Sequence, residues 1–465
     1  MFQKPATIGE LKASEYRVLS VREEMRKNLI IKLRSGETAF PGIIGYEDTV
    51  IPQVETAILA GHDIIFIGER GQAKSRLIRS LINLLDEEVP VIKGGELNDN
   101  PYDPITRYCR DLVQKYGDDT EIEWIGRTER YSEKLATPDV SIADLIGEVD
   151  PIKVAEGRYL SDELTIHFGL VPRTNRGIFA INELPDLVEK VQVGLFNVME
   201  EKDIQVKGYK VRLPLDICIV ATANPEDYTN RGRIITPLKD RFQSQIGTHY
   251  PKTRETEIII MEQEAFVPDI DGITLRVPRF IKEIIAEISF QARGSADINQ
   301  RSGVSVRTSI ANYESIIAAA EKRGITLGER EVTPRITDFP SIVQSTSGKI
   351  ELEYLGDDSS EAVVVDKLIK RSIKTVFDNY FPSLDVMSDL IKSFEHGYVE
   401  VADVMPSEDY IIGVREIKGL QGCIDSLGIA ESPAEIAAAV EFTLEGLHLS
   451  NKLNKENVRG KIIYK

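Results

Sequence analysis

The residues Gly68, Glu69, Arg70, Gly71, Gln72, Ala73, Lys74 and Ser75 set two glycines, an ammonium and a hydroxyl at the spacing Gly-x4-Ala-Lys-Ser. Glycines let backbone N–H groups wrap a phosphate, a lysine at this spacing reaches the β- and γ-phosphates, and the following hydroxyl can bind Mg²⁺ at a helix start. Such a loop needs a strand before it and a helix after it. Ile64-Ile65-Phe66-Ile67 precedes it, and the amphipathic run Leu77-Ile78-Arg79-Ser80-Leu81-Ile82 follows. Ala73 stands where a glycine is usual, but Lys74 and Ser75 keep their register. By itself the pattern also arises by chance in surface loops; its place behind a buried strand favours nucleotide binding.

A second apolar run, Ile178-Phe179-Ala180-Ile181, ends in Asn182-Glu183. At such a strand end an Asp-Glu pair gives a carboxylate for the Mg²⁺ shell and a base for the attacking water. Glu183 keeps the base. Asn182 can hydrogen-bond a metal-bound water but cannot offset its charge, so weaker Mg²⁺ binding and slow turnover are expected. A third run, Ile217 to Ala223, ends in Asn224-Pro225-Glu226, which puts an amide where it would contact the γ-phosphate or orient water. Each has a plainer reading: Glu183 as a solvated strand-end carboxylate, and Asn224-Pro225 as a turn.

These residues need elements to hold them. Between residues 41 and 265 short apolar runs, among them Val89-Pro90-Val91-Ile92, alternate with polar helical stretches. The runs read as strands buried on both faces of a parallel sheet, giving an α/β nucleotide-binding domain. From 266 to 465 the period changes to that of helices: Ile281, Ile284, Ile285 and Ile288 share one face, as do Ile369, Ile373, Val376 and Phe377. Ser432-Pro433-Ala434-Glu435 has the cap, proline and N3 glutamate of a helix start. At about 324–358 a β insertion is expected, with Ser345 to Gly348 turning Ser341-Ile342-Val343-Gln344 into the run from Lys349 to Tyr354. Residues 1–40 read as a helical extension with apolar residues too sparse for a core of its own.

The 465 residues carry 57 basic and 75 acidic side chains, a net charge of −18, which opposes the basic face of a protein that coats nucleic acid. Cys109, Cys218 and Cys423 are too scattered for a CxxC site or a disulfide framework, and His62, His167, His249, His396 and His448 show no ligand spacing. Met1 to Glu10 lacks a secretory pattern and no run reaches the roughly 18 apolar residues of a membrane span. A cytoplasmic protein is expected. The basic end, Lys452 to Lys465, reads as a solvated tail.

With the three motifs in order, the chain resembles AAA+ ATPases of the magnesium-chelatase I-subunit and MoxR-like family over about Phe40 to Ser315. Phe40-Pro41-Gly42-Ile43-Ile44-Gly45-Tyr46-Glu47 is similar to the family's opening segment. The segments Asp144 to Asp150, Gly169 to Ile178 and Leu195 to Glu201 look like those flanking its metal-binding strand. The resemblance implies an α/β P-loop NTPase (AAA+) core with a parallel sheet, followed by a helical lid domain. It implies ATP and Mg²⁺, the latter held by Ser75 and, through water, Asn182. Leu238-Lys239-Asp240-Arg241-Phe242 matches the family's Leu-x-Asp-Arg-Phe, so Arg241 takes the role of an arginine finger reaching a neighbouring subunit's ATP. Arg307, in Gly303-Val304-Ser305-Val306-Arg307, matches the second sensor. Plainer readings are a surface arginine paired with Asp240, and a helix-capping arginine. Asp150 to Phe168 and Asp203 to Leu213 match the family's two inserted loops, expected at the pore or the partner.

The function these features imply is Mg²⁺-dependent ATP hydrolysis in a homo-oligomeric ring, hexameric in this family, that remodels a partner protein in the manner of a chaperone. The partner of the family carries a von Willebrand factor A domain. A nucleotide-bound scaffold with little turnover is the alternative that Asn182 raises. A DNA motor or transcription activator is disfavoured by the charge and by the lack of a Gly-Ala-Phe-Thr-Gly-Ala loop.

Overall fold

The computed structural model describes residues 4–150, 152, 163–201, 204–206, 209–211, 213–225, 233–299, 303–352, 360–395, 397–429, 432–458 and 460–465. The chain forms two compact units, Met1–His249 and Tyr250–Lys465.

The first unit is built on five parallel strands: β1 (Ile64–Ile67), β2 (Tyr131–Leu135), β3 (Gly177–Asn182), β4 (Ile217–Ala223) and β5 (Ser244–Gly247). They lie in the order β5-β1-β4-β3-β2, every neighbouring pair parallel. Side chains alternate between two apolar layers, as the twofold period of a strand requires. Ile64, Phe66, Ile178, Ala180, Cys218 and Val220 enter one core, and Ile65, Phe179, Ile181, Ile219 and Ala221 the other. On the first face lie α1 (Val21–Ser35), α2 (Val50–Ala60) and α3 (Lys74–Ser80). On the second lie α4 (Glu189–Glu201) and α5 (Thr236–Arg241), through Val191, Leu195, Val198 and Leu238.

One expectation changes here. Val89 to Ile92 is a strand, Glu88–Ile92, but it pairs antiparallel with Ile122–Gly126 outside the parallel sheet. The edge strands β2 and β5 escaped the sequence reading because edge positions are only partly buried and lack a continuous apolar run. The N-terminal extension lies against this domain: Ser20 caps α1 with a full capping box, and Val21, Met25 and Leu29 are buried in the core under the sheet. Burying each such side chain contributes roughly 1.5–3 kcal/mol.

The second unit is helical, chiefly α6 (Arg254–Glu264), α7 (Arg279–Gly294), α8 (Val306–Leu327), α9 (Glu361–Tyr380) and α10 (Pro433–Leu449). Helix α10 is buried from Ala437 to Leu447, as befits a helix apolar nearly all round. Phe442 at its centre stacks on Phe280 with centroids 4.6 Å apart. The change of unit falls at His249, ahead of the 265/266 boundary expected, because Ile258 and Met261 of α6 belong to the helical core.

The β insertion is also corrected. Among the described residues of 324–358, Ile336–Ser341 is a 3₁₀ helix and Ile342–Thr346 an α-helix. The only strand there is Glu331–Val332, paired with Thr274–Leu275. Ile336, Phe339 and Ile342 recur every three residues, the 3₁₀ period, and all enter the core. The C-terminus is not a solvated tail: Lys455–Val458 and Lys461–Tyr464 form a hairpin that also pairs with Val399–Val401. Tyr464 is buried there beside Glu445.

Candidate functional site

The loop Gly68 to Ser75 leaves the end of β1 and turns directly into α3. Gly68 N donates to the Ala223 carbonyl at 3.1 Å, tying the loop to the end of β4. A Cβ at Gly68 would lie 2.0 Å from Thr248 Oγ1 and 2.2 Å from Gln72 Oε1, so any larger residue there forces both side chains, which hydrogen-bond each other, to shift. Gly71 and Ala73 both take left-handed backbone, at φ 73° and φ 53°. Ala73 thus stands where a glycine is conformationally favoured, at a cost of roughly 1–2 kcal/mol. Arg70 and Ala73 are exposed, Glu69, Gly71 and Ser75 half-buried, and Gln72 buried.

Behind the loop sits Tyr46, from the segment Phe40 to Glu47. Its hydroxyl lies 2.8 Å from the Gln72 carbonyl and 2.9 Å from that of His249, and its ring meets the His249 imidazole edge-on. Burial pushes the phenol up to about 12, so it stays protonated as a fixed strut.

Lys74 is 8% exposed. Its ammonium donates to the carbonyls of Gly68 (2.5 Å) and Glu69 (2.6 Å) and to Asn224 Oδ1 (2.8 Å). Since β4 lies between β1 and β3, the loop and two strand ends converge. Ser75 Oγ donates to Asn182 Oδ1 at 3.2 Å, and Thr222 Oγ1 lies 3.4 Å from the same oxygen. Thr222 also accepts from Glu183 N at 2.9 Å, and Glu183 has left-handed backbone, φ 56°.

Two observations test the fit to a nucleotide and Mg²⁺. With Oδ1 of Asn224 committed to Lys74, the buried Nδ2 has no hydrogen-bond partner among the described residues. Such an orphaned donor costs about 1–3 kcal/mol, and a phosphate oxygen or the water beside it would satisfy it. The Ser75 hydroxyl and Asn182 amide oxygen are neutral oxygen donors, suited to a cation that keeps most of its waters. The residues present fit the group.

Arg241 ends α5 inside the first unit. Its Nε lies 2.6 Å from Glu200 Oε2 and its guanidinium sits over the Phe196 ring, both on α4, so its partner is Glu200 and not Asp240. Arg307 is exposed on the first turn of α8 in the second unit, where its backbone N–H, not its side chain, donates to the capping Ser305. Most of Asp150 to Phe168 lies outside the described residues; Ile204–Val206 and Tyr209–Val211 form a hairpin within Asp203 to Leu213. Asp144, Glu148, His167, Gly169 and Arg173 line a cleft of about 410 Å³. Burial raises the thiols of Cys109 and Cys218 to about 12, which leaves neither a ready nucleophile.

Tyr46, Thr222, Thr248, Glu133 and Arg79 escaped the sequence reading as site residues. Thr222 alone had a signal, lying two residues before Asn224 on one strand and so on the same face.

No protein-family model matches the chain. Among curated proteins it is similar to the magnesium-chelatase subunit ChlI of Nostoc sp. (strain PCC 7120 / SAG 25.82 / UTEX 2576), 26% identical over 241 residues, covering 49% of this chain and 58% of that one. It is 27% identical over 243 residues to ChlI of Nephroselmis olivacea, covering 49% and 61%. The chain thus spans about three fifths of the length of these relatives. Of the solved structures, a chain from a complex of magnesium-chelatase subunits BchI and BchD is 17% identical, covering 71% of this chain and 98% of that one, at a TM-score of 0.36. That likeness is too low to bear on the fold, which rests on the strand order described above.

Proposed function

For a chain that belongs to the AAA+ ATPases of the magnesium-chelatase and MoxR group, we propose Mg²⁺-dependent ATP hydrolysis in a ring of like subunits that drives rearrangement of a partner protein. The observation that carries this reading is the meeting of Lys74, Ser75, Asn182 and Asn224, drawn from three separate motifs, within hydrogen-bonding distance. Lys74 holds the outer phosphates, Ser75 and Asn182 face the metal, Asn224 positions the attacking water, and Glu183 accepts its proton. Bound Mg²⁺ neutralises charge on the phosphate oxygens. Arg241 serves the neighbouring subunit's nucleotide, leaving Glu200 for it on assembly.

On the family resemblance alone, the partner in this reading is a separate protein, of the von Willebrand factor A class. Among the described residues no helix is long and apolar enough to cross a membrane. A nucleotide-bound scaffold with slow turnover is the second reading, favoured by the neutral Asn182.

Steady-state ATP hydrolysis, measured with Mg²⁺ across a range of protein concentrations beside Lys74→Ala, tests the proposal. Turnover that rises with concentration and vanishes in the variant supports it. ATP binding with wild-type turnover no higher than that of Lys74→Ala leaves the scaffold.

A further inference from the structure

The neutral Asn182 is backed by a carboxylate on the next strand. Glu133 lies on β2, which runs parallel to β3 with Glu133 opposite Ala180 and Leu135 opposite Asn182. Asn182 Nδ2 donates to Glu133 Oε1 at 2.5 Å, which orients the amide: its oxygen turns toward Ser75 Oγ. Glu133 is held in turn. Arg79 grips it with Nε at 2.8 Å and Nη2 at 2.9 Å, and the Tyr131 hydroxyl donates to its Oε2 at 3.0 Å. Arg79 follows Ser75 by one turn of α3, so Ser75, Asn182, Glu133 and Arg79 close a circuit around the metal side of the loop. Reversing the amide would point its NH₂ at Ser75 and its oxygen at a carboxylate, so the carboxylate selects one orientation.

We propose that Glu133 is a positioning residue for Mg²⁺: held by Arg79, it fixes the Asn182 amide with its oxygen toward the site. The proposal rests on the nucleotide reading above. Outer partners of this kind orient the inner ligand, and their loss weakens metal affinity by about 10–100-fold. It has a consequence opposite to the expectation from the family pattern: Asn182→Asp alone does not improve the site, because it sets a second carboxylate against Glu133.

The test measures binding of a fluorescent ATP analogue to the full chain in EDTA and across a Mg²⁺ titration. Wild type, Glu133→Gln, Asn182→Asp and the double variant Glu133→Gln/Asn182→Asp are compared, with the melting temperature of each nucleotide-free protein. Glu133→Gln is expected to raise the Mg²⁺ midpoint about tenfold or more while leaving affinity in EDTA unchanged. A merely structural role would lower both affinities together. Asn182→Asp is expected to melt below wild type and to bind Mg²⁺ no more tightly than wild type, whereas the double variant melts near wild type and binds Mg²⁺ more tightly than Asn182→Asp. A Mg²⁺ midpoint within about twofold of wild type in Glu133→Gln overturns the proposal, as does Asn182→Asp alone matching the double variant. A wild-type chain that binds no ATP analogue with or without Mg²⁺ overturns the nucleotide reading and the proposal together.

Discussion

Replacing Glu24 by alanine removes the anion that holds α1 to the sheet. The Glu24 carboxylate, 2% exposed, accepts from Arg130 Nη1 at 2.8 Å and Nη2 at 2.6 Å, and from the backbone N–H of Asp86 at 2.5 Å. Arg130 is 1% exposed, and apart from Glu24 its guanidinium donates to the Arg176 carbonyl. Nearby Arg176 is itself buried, its pKa lowered to about 10 by desolvation and then by the Arg130 charge. Glu24→Ala therefore strands one buried cation beside another and orphans an amide. Breaking a buried pair from one side costs about 3–5 kcal/mol. At roughly 2–4 °C per kcal/mol for a unit of this size, the melting temperature of the first unit should fall by about 6–20 °C. The chain has a single tryptophan, Trp124, in the first unit, where it donates to the Pro5 carbonyl, so its fluorescence reports unfolding there without interference from the helical unit. Glu24→Met/Arg130→Met removes both charges and should recover most of the loss. A single variant less than about 1 kcal/mol weaker than wild type, or a double variant no better than the single, would refute the reasoning.

Tyr46→Phe tests the strut behind the loop. Because the folded protein raises this phenol from 10.0 to about 12, its contribution is complete below pH 10 and is lost as pH climbs through about 12. The stability gap between wild type and variant should shrink by up to about 2.7 kcal/mol over that window, two pKa units at 1.36 kcal/mol each. Urea midpoints at pH 8 and 11 read about half of it, roughly 1.4 kcal/mol, and a gap that does not move with pH contradicts the assignment. In the helical unit, Gly446→Ala places a Cβ 2.0 Å from the Phe377 ring. Overpacking of this kind should cost about 1–3 kcal/mol, seen as a lowered melting transition in calorimetry; an unchanged transition would mean that the ring moves freely.

Much of the site's chemistry was legible in the sequence because it is local. The loop from Gly68 to Ser75 is consecutive, so its strand, turn and helix could be read in order. The buried strands β1, β3 and β4 announced themselves as runs apolar on both faces. The helical half followed from the spacing of Ile281 to Ile288 and Ile369 to Phe377, and the start of α10 from the cap at Ser432. Periodicity and capping are set by residues within a turn or two, and the sequence displays them directly.

What the tertiary structure decided is which distant residues meet. Asn224 reaches Lys74 across 150 residues only because β4 inserts between β1 and β3. Glu133 and Arg130, charged and on or beside a half-exposed edge strand, carry no local sign of their partners; the first backs Asn182 and the second is buried on Glu24. The segment from Ile336 to Thr346 has β-branched residues that suit a strand, yet its spacing of three lets Ile336, Phe339 and Ile342 fill the helical core. A lone charge or a short apolar run has no local signature of its partner. Burial and pairing energies, which exceed propensity by several fold, settle such positions once the chain has closed on itself.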